Sequence, residues 1–181
     1  TAPSRITVFA PSPAGTHVRR TGEDVVPGTT VLPAGRLLGP RDVASAVSVG
    51  HASLPVHPLP RVGVLITGDE LACAGADLRR GQIPDSNGPL LRTLLPSLGA
   101  TAVDLGVTAD SPDQFLTSLR SGLDGVDVVV TVGGISTGAF DVVKAALETL
   151  PEVTFEKVAM QPGKPQGFGL LNTPDGRQVL L

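Results

Sequence analysis

Three aliphatic, β-branched stretches limit what this chain can fold into: Arg61 to Thr67 (RVGVLIT), Ala102 to Val107, and Val126 to Val130. Each leads into a polar loop and then into apolar residues that recur three and four apart. After the first come Leu90, Leu91, Leu94, Leu95 and Leu98. After the second come Phe115, Leu116, Leu119 and Leu123. After the third come Ala139, Val142, Val143, Ala146, Leu147 and Leu150. Near-continuous apolar runs suit strands buried on both faces, and the longer period suits amphipathic helices. Strand, loop and helix in repetition predict an α/β fold, a parallel sheet flanked by helices. With 41% hydrophobic residues the chain can fill such a core, and the filling is aliphatic: five Phe, no Trp, no Tyr.

The helix boundaries are marked. Pro96 predicts a kink or an early stop before Gly99, and Ser111 with Pro112 marks a helix start. A further strand is expected over Val153–Met160, then a stiff loop over Gln161–Gly169 presenting Lys164. A hairpin pairing Phe168–Leu171 with Gln178–Leu181 follows, around Pro174-Asp175-Gly176. Ahead of these elements, residues 1–50 are expected to be part of a small β-rich domain. It would hold a strand over Arg5–Phe9, Pro- and Gly-marked turns, and a short helix from Pro40 to a Gly50 cap. Residues 51–60, with three prolines, read as a linker, and 61–181 as the α/β domain. His51 and His57 have no metal-like spacing.

Three acids follow three strands by a few residues: Glu70, Asp110 and Asp141. In a parallel sheet such positions share one edge. Carboxylates gathered there repel one another unless a cation joins them, which points to Mg²⁺ with oxygen ligands and retained water. The acids of Gly68-Asp69-Glu70 read equally as helix caps. The Gly-rich turn TVGGISTG at 131–138 carries Gly133, Gly134, Ser136 and Gly138. It reads either as an ordinary turn or as a cradle for an anion beside the metal. Asp141 and Lys144, three apart, share a helix face. Arg19 and Arg20 could clamp a phosphate or carboxylate, or could be solvated surface arginines.

A net charge of −3 argues against nucleic acid or an anionic membrane as partner. No apolar run spans a membrane and no signal-peptide pattern is read. The single cysteine, Cys73, excludes an internal disulfide. A cytoplasmic location is therefore expected. The chain does not begin with Met and stops in an apolar run, so it is expected to be a fragment of a longer protein.

Taken in order, Val18-Arg19-Arg20 with Gly22-Glu23-Asp24, Thr67-Gly68-Asp69-Glu70-Leu71, Gly81-Gln82-Ile83 with Asp85-Ser86-Asn87, Gly133-Gly134-Ile135-Ser136 with Asp141, and Pro162-Gly163-Lys164-Pro165 resemble the molybdopterin molybdenumtransferase family. That family includes bacterial MoeA and the E domain of gephyrin. The resemblance implies a molybdopterin-binding, MogA-like domain. It also implies Mg²⁺-dependent insertion of molybdate into adenylylated molybdopterin, with release of AMP, in molybdenum cofactor biosynthesis. By similarity, Glu70, Asp110 and Asp141 match acids that handle metal or molybdate. Gly133, Gly134, Ser136 and Gly138 match the pterin-phosphate loop. Lys144, Lys157 and Lys164 are oxyanion-holding candidates, and Arg19 and Asp24 match positions near the site on the β-rich domain. The family further implies a homodimer and a pterin adenylyltransferase as partner. Gln161 departs from the family pattern, standing where many relatives carry Lys. A related enzyme of the superfamily, a pterin adenylyltransferase or a nucleotide pyrophosphatase, shares only part of the motif set. A non-catalytic gephyrin-like scaffold would not need the acids.

Overall fold

The computed structural model describes residues 4–135, 141–161 and 163–181. Its internal contacts divide the chain into two units, Thr1–His57 and Pro58–Leu181.

In the first unit, residues 4–39 run through turns and bends without a strand among the described residues. The strand expected over Arg5–Phe9 does not form. An extended segment holds its ladder only against partners, and among the described residues of this unit no strand is present to pair with it. Ile6, Val8 and Phe9 stay exposed. Helix α1 (Pro40–Ser48) does form. Pro40 presets the first turn, where its missing N–H costs nothing. The Asp42 carboxylate accepts from the Gly39 N–H at 2.8 Å and from Arg36 Nε at 2.8 Å, one half of a capping box. Gly50, at φ +91°, follows the helix end.

The second unit is built on a six-stranded sheet in the order β4-β1-β5-β8-β7-β6. Its strands are β1 (Arg61–Thr67), β4 (Thr101–Thr108), β5 (Val128–Val132), β6 (Val153–Lys157), β7 (Pro165–Asn172) and β8 (Gln178–Leu180). A two-residue pair, β2 (Leu71–Ala72) with β3 (Ile83–Pro84), stands apart. β1 pairs in parallel with β4 on one side and β5 on the other, and β8 adds in parallel to β5. Only the β6–β7–β8 connections are antiparallel. The helices are α2 (Asn87–Ser97), α3 (Pro112–Gly122) and α4 (Val142–Leu147).

The α/β expectation holds because β1 is buried at every position after Arg61, so its two alternating faces both need cover. On one face Leu65 and Val129 pack with Phe115 and Leu119 of α3 and with Val143, Ala146 and Leu147 of α4. On the other, α2 lies against β1 and β4. Gly63, on the same face as Leu65, leaves room for a neighbour: a Cβ would fall 2.7 Å from Leu105 Cδ1.

Several boundaries differ from expectation. The leucine face of α2 is only partly covered: Leu91 and Leu95 are half-buried, while Leu90, Leu94 and Leu98 remain exposed. A helix on one layer of sheet buries a single stripe, and five leucines span more than one. Pro96 is accommodated in the last turn of α2. β6 stops at Lys157, not Met160, because Lys157 pairs with Pro165, whose nitrogen cannot extend the ladder. α4 ends at Leu147, short of Leu150, and Leu150 precedes Pro151, which disfavours helix there.

Two outcomes follow. Phe115→Ala removes a fully buried side chain and should cost about 3–5 kcal/mol in denaturant unfolding. The Asp42 carboxyl is held below the ordinary aspartate value of 3.8 by the Gly39 N–H, and further by Arg36, against an opposing burial penalty. A depressed folded-state pKa contributes stability above the unfolded value and loses it as pH falls through the folded one. Amide exchange in α1 should therefore accelerate as pH drops below 3.8, and Asp42→Asn should remove that pH dependence.

Candidate functional site

Because β4, β1 and β5 run parallel, the loops leaving them open at one edge. There a cleft of about 700 Å³ is lined by Thr67, Gly68 and Glu70 after β1, Asp110 and Pro112 after β4, and Gly133, Gly134, Asp141, Val142 and Ala145 after β5. The three acids singled out by position thus share one cleft.

Two of the loops are laced together. The Asp69 N–H donates to Asp110 Oδ2 at 3.2 Å, and the Asp110 N–H donates to Asp69 Oδ1 at 3.1 Å. The Gly68 N–H donates to the Thr108 carbonyl at 3.3 Å. Asp69 is spent on this joint and does not line the cleft, whereas its neighbour Glu70 does. The Glu70 carboxylate folds back over Gly68: a Cβ there would fall 2.8 Å from Oε2.

The third loop sits closest. A Cβ on Gly133, at φ +104°, would fall 2.4 Å from the Thr67 carbonyl oxygen. One on Gly134, at φ +61°, would fall 2.7 Å from Val143 Cγ2. Both positions combine positive φ with a close neighbour, backbone at Gly133 and the Val143 side chain at Gly134, so glycine is favoured at each. The Gly134 carbonyl accepts from the Lys144 N–H at 3.1 Å, which fixes the turn to the start of α4. Ser136 and Gly138 lie outside the described residues.

The same Gly133–Gly134 turn borders a second cleft, of about 580 Å³, whose other wall is Gln161, Gly163, Lys164, Pro165 and Gln166. The wall is braced: Gln166 Nε2 donates to the Gly163 carbonyl at 2.7 Å, and the Val158 N–H donates to the Lys164 carbonyl at 2.8 Å. One turn is therefore shared by an acidic cleft and a cleft that presents an ammonium group.

The remaining candidates lie elsewhere. Lys144 Nζ is 3.5 Å from Glu148 Oε1 in an exposed pair and lines neither cleft. Lys157, exposed at the end of β6, lines neither. Arg19 pairs with Asp24 in the first unit, and Arg19 borders a cleft of about 710 Å³ with His17 and Arg20. Asp85 is buried and its Oδ1 accepts from the Gly88 N–H at 2.9 Å, so it acts as the cap of α2. Thr67, quoted within the Thr67-Gly68-Asp69-Glu70-Leu71 motif, and Gln166 had no role assigned from the sequence. The signal for Thr67 was a hydroxyl closing an otherwise aliphatic strand.

Among the described residues no group of three or more His, Cys, Asp or Glu side chains is close enough to hold a metal ion directly. The acidic cleft nevertheless offers only oxygen donors, which suits a hard divalent cation that keeps water and takes substrate oxygens into its shell. Among the described residues no helix is long and apolar enough to cross a membrane.

Comparison with known proteins fits this geometry. The family model described as "Probable molybdopterin binding domain" matches residues 63–180. The chain is 43% identical over 161 residues to molybdopterin molybdenumtransferase 2 of Mycobacterium tuberculosis, covering 86% of the chain and 40% of that protein. It is 40% identical over 155 residues to the Haemophilus influenzae molybdopterin molybdenumtransferase, covering 86% and 38%. The chain thus spans about two fifths of the length of these curated relatives. A crystal structure of the molybdopterin biosynthesis MoeA protein from Pyrococcus horikoshii superposes with a TM-score of 0.72 at 31% identity, over 88% of this chain and 39% of that one.

Gly133→Ala should displace the shared turn. We expect about 2 kcal/mol or more of destabilisation from the strained φ and the clash, with chemical-shift changes at Thr67 and Lys164. Amide NMR spectra and urea melts check both.

Proposed function

This chain belongs to the molybdopterin-binding domain family, and on that premise we propose that it carries the pterin site of a molybdopterin molybdenumtransferase. The reaction is Mg²⁺-dependent insertion of molybdate into adenylylated molybdopterin, with release of AMP, in molybdenum cofactor biosynthesis. The observation that carries the reading is the Gly133–Gly134 turn shared by an acidic cleft and a Lys164 cleft.

The substrate's phosphoanhydride and the oxyanion need opposite surroundings from the same site. Glu70, Asp110 and Asp141 are the oxygen donors that would hold a Mg²⁺ ion with retained water. When bound, the ion would neutralise charge that develops as the phosphoanhydride breaks. Molybdate is a dianion that carboxylates repel, and Lys164 offers it a cation on the far side of the turn. The glycine backbone lets the pterin phosphate approach both clefts. In this reading Gln161 supplies an amide donor where many relatives supply a second ammonium. Ser136 and Gly138, outside the described residues, are assigned to the pterin phosphate by family resemblance alone, as Lys144 and Lys157 are to oxyanions although they line neither cleft, and Arg19 and Asp24 belong to the preceding domain. In this reading residues 1–50, which form no strand among the described residues, are part of a domain that is β-rich in the family, with 51–60 a linker and 61–181 the pterin domain. The working protein is a cytoplasmic homodimer that receives its substrate from a pterin adenylyltransferase.

Adenylylated molybdopterin added to the natural full-length protein should bind, as followed by pterin fluorescence against a background without Trp or Tyr in this segment. AMP should appear only when Mg²⁺ and molybdate are both present. Lys164→Ala should lower molybdate-dependent AMP release about 10²-fold, the scale for losing one charge-stabilising group, with weaker effects on pterin binding. Hydrolysis of ADP-ribose with indifference to the pterin nucleotide would instead assign the nucleotide-pyrophosphatase reading. An Asp141→Ala variant that still supports cofactor synthesis would assign the scaffold.

A further inference from the structure

The Thr67 hydroxyl is left over from the packing. Thr67 closes β1, is 4% exposed, and its Oγ1 has no hydrogen-bond partner. A buried hydroxyl without a partner is costly. Valine has nearly the same shape and would fill the position without that cost, so packing does not account for threonine. The surroundings do. Thr67 is part of the acidic cleft's lining, and the cover over it is the Gly133 backbone, whose added Cβ would lie 2.4 Å from the Thr67 carbonyl oxygen and 3.6 Å from Thr67 Cβ. The orphan donor therefore belongs to the residue packed against the turn that both clefts share.

We propose that Thr67 is a ligand-binding residue of this site: its hydroxyl donates to an anionic phosphate oxygen seated against the Gly133–Gly134 turn. The inference rests on the anion-binding role given to that turn above. It adds a named donor and a conformational requirement. The free protein keeps the hydroxyl covered, and a small outward shift of Gly133 brings a ligand oxygen within its reach. The cost of the unpaired hydroxyl is then carried by the free state and relieved in the complex, which favours binding. No covalent step is involved.

The test uses the full-length protein, its Thr67→Val and Thr67→Ser variants, and two probes: adenylylated molybdopterin and inorganic pyrophosphate, each with Mg²⁺. Thr67→Val should melt at the same temperature as the parent or higher, because it removes an unpaired hydroxyl. It should bind whichever probe the parent binds about tenfold or more weakly, the size of one hydrogen bond to a charged group. Thr67→Ser should bind within about threefold of the parent. Pyrophosphate binding without pterin-nucleotide binding would overturn the substrate assignment while leaving the Thr67 comparison readable on pyrophosphate. Equal affinity of Thr67→Val and the parent would overturn the role of Thr67 and leave the substrate assignment standing. A drop of several degrees in the melting temperature of Thr67→Val would show the hydroxyl already satisfied in the free protein, and would also overturn the proposal. Binding of neither probe by the parent would overturn both the proposal and the anion site it rests on.

Discussion

β1 hydrogen-bonds in parallel to β4 and to β5, and the placing of the three acids and of the Gly133–Gly134 turn follows from that double pairing. A strand with neighbours on both edges and cover on both faces has no freedom of register. A one-residue slip would exchange the side chains facing α3 and α4 for those facing α2. Gly63 and Leu65 point one way and Val62, Val64 and Ile66 the other, so such a slip would break both packed layers. With the register fixed, the loops after β1, β4 and β5 leave at one edge, and Glu70, Asp110 and Asp141 come into one cleft.

The edge itself is made by backbone, and charged side chains are added to it. The reciprocal Asp69–Asp110 hydrogen bonds join two loops through main-chain donors. Gly133 lies against the Thr67 carbonyl so closely that no Cβ fits. These contacts consume the polar groups that hold the loops and leave Glu70 and Lys164 facing open clefts. A site built this way is rigid at its base while its charged groups stay solvated.

Much of this was legible in the residues. Aliphatic runs gave strands, the three- and four-residue period gave helices, and the recurrence of both gave a parallel sheet with its polar loops at one end. The motifs around Glu70, Gly133 and Lys164 pointed to the site. What was not legible depended on partners. Arg5–Phe9 alternates as a strand does, but alternation cannot supply a neighbour to pair with. Leu90, Leu94 and Leu98 repeat as a buried face does, but the depth of cover depends on how α2 meets the sheet. Lys144, grouped with the site by spacing, turns to Glu148 on the surface. Asp85, part of a loop motif, caps a helix.

The sequence by itself determined the class of fold, the order of the main strands and helices of the second unit and the set of acids and glycines at the strand ends, because hydrophobic period and turn chemistry are local properties of the chain. Only the tertiary structure decided that one glycine turn is shared by an acidic and a basic cleft. It alone showed that Asp69 is structural while Glu70 is open, and that Thr67, packed against that turn, holds an unpaired hydroxyl. Each of these depends on distances between residues tens of positions apart, which the folded sheet fixes and no local pattern encodes.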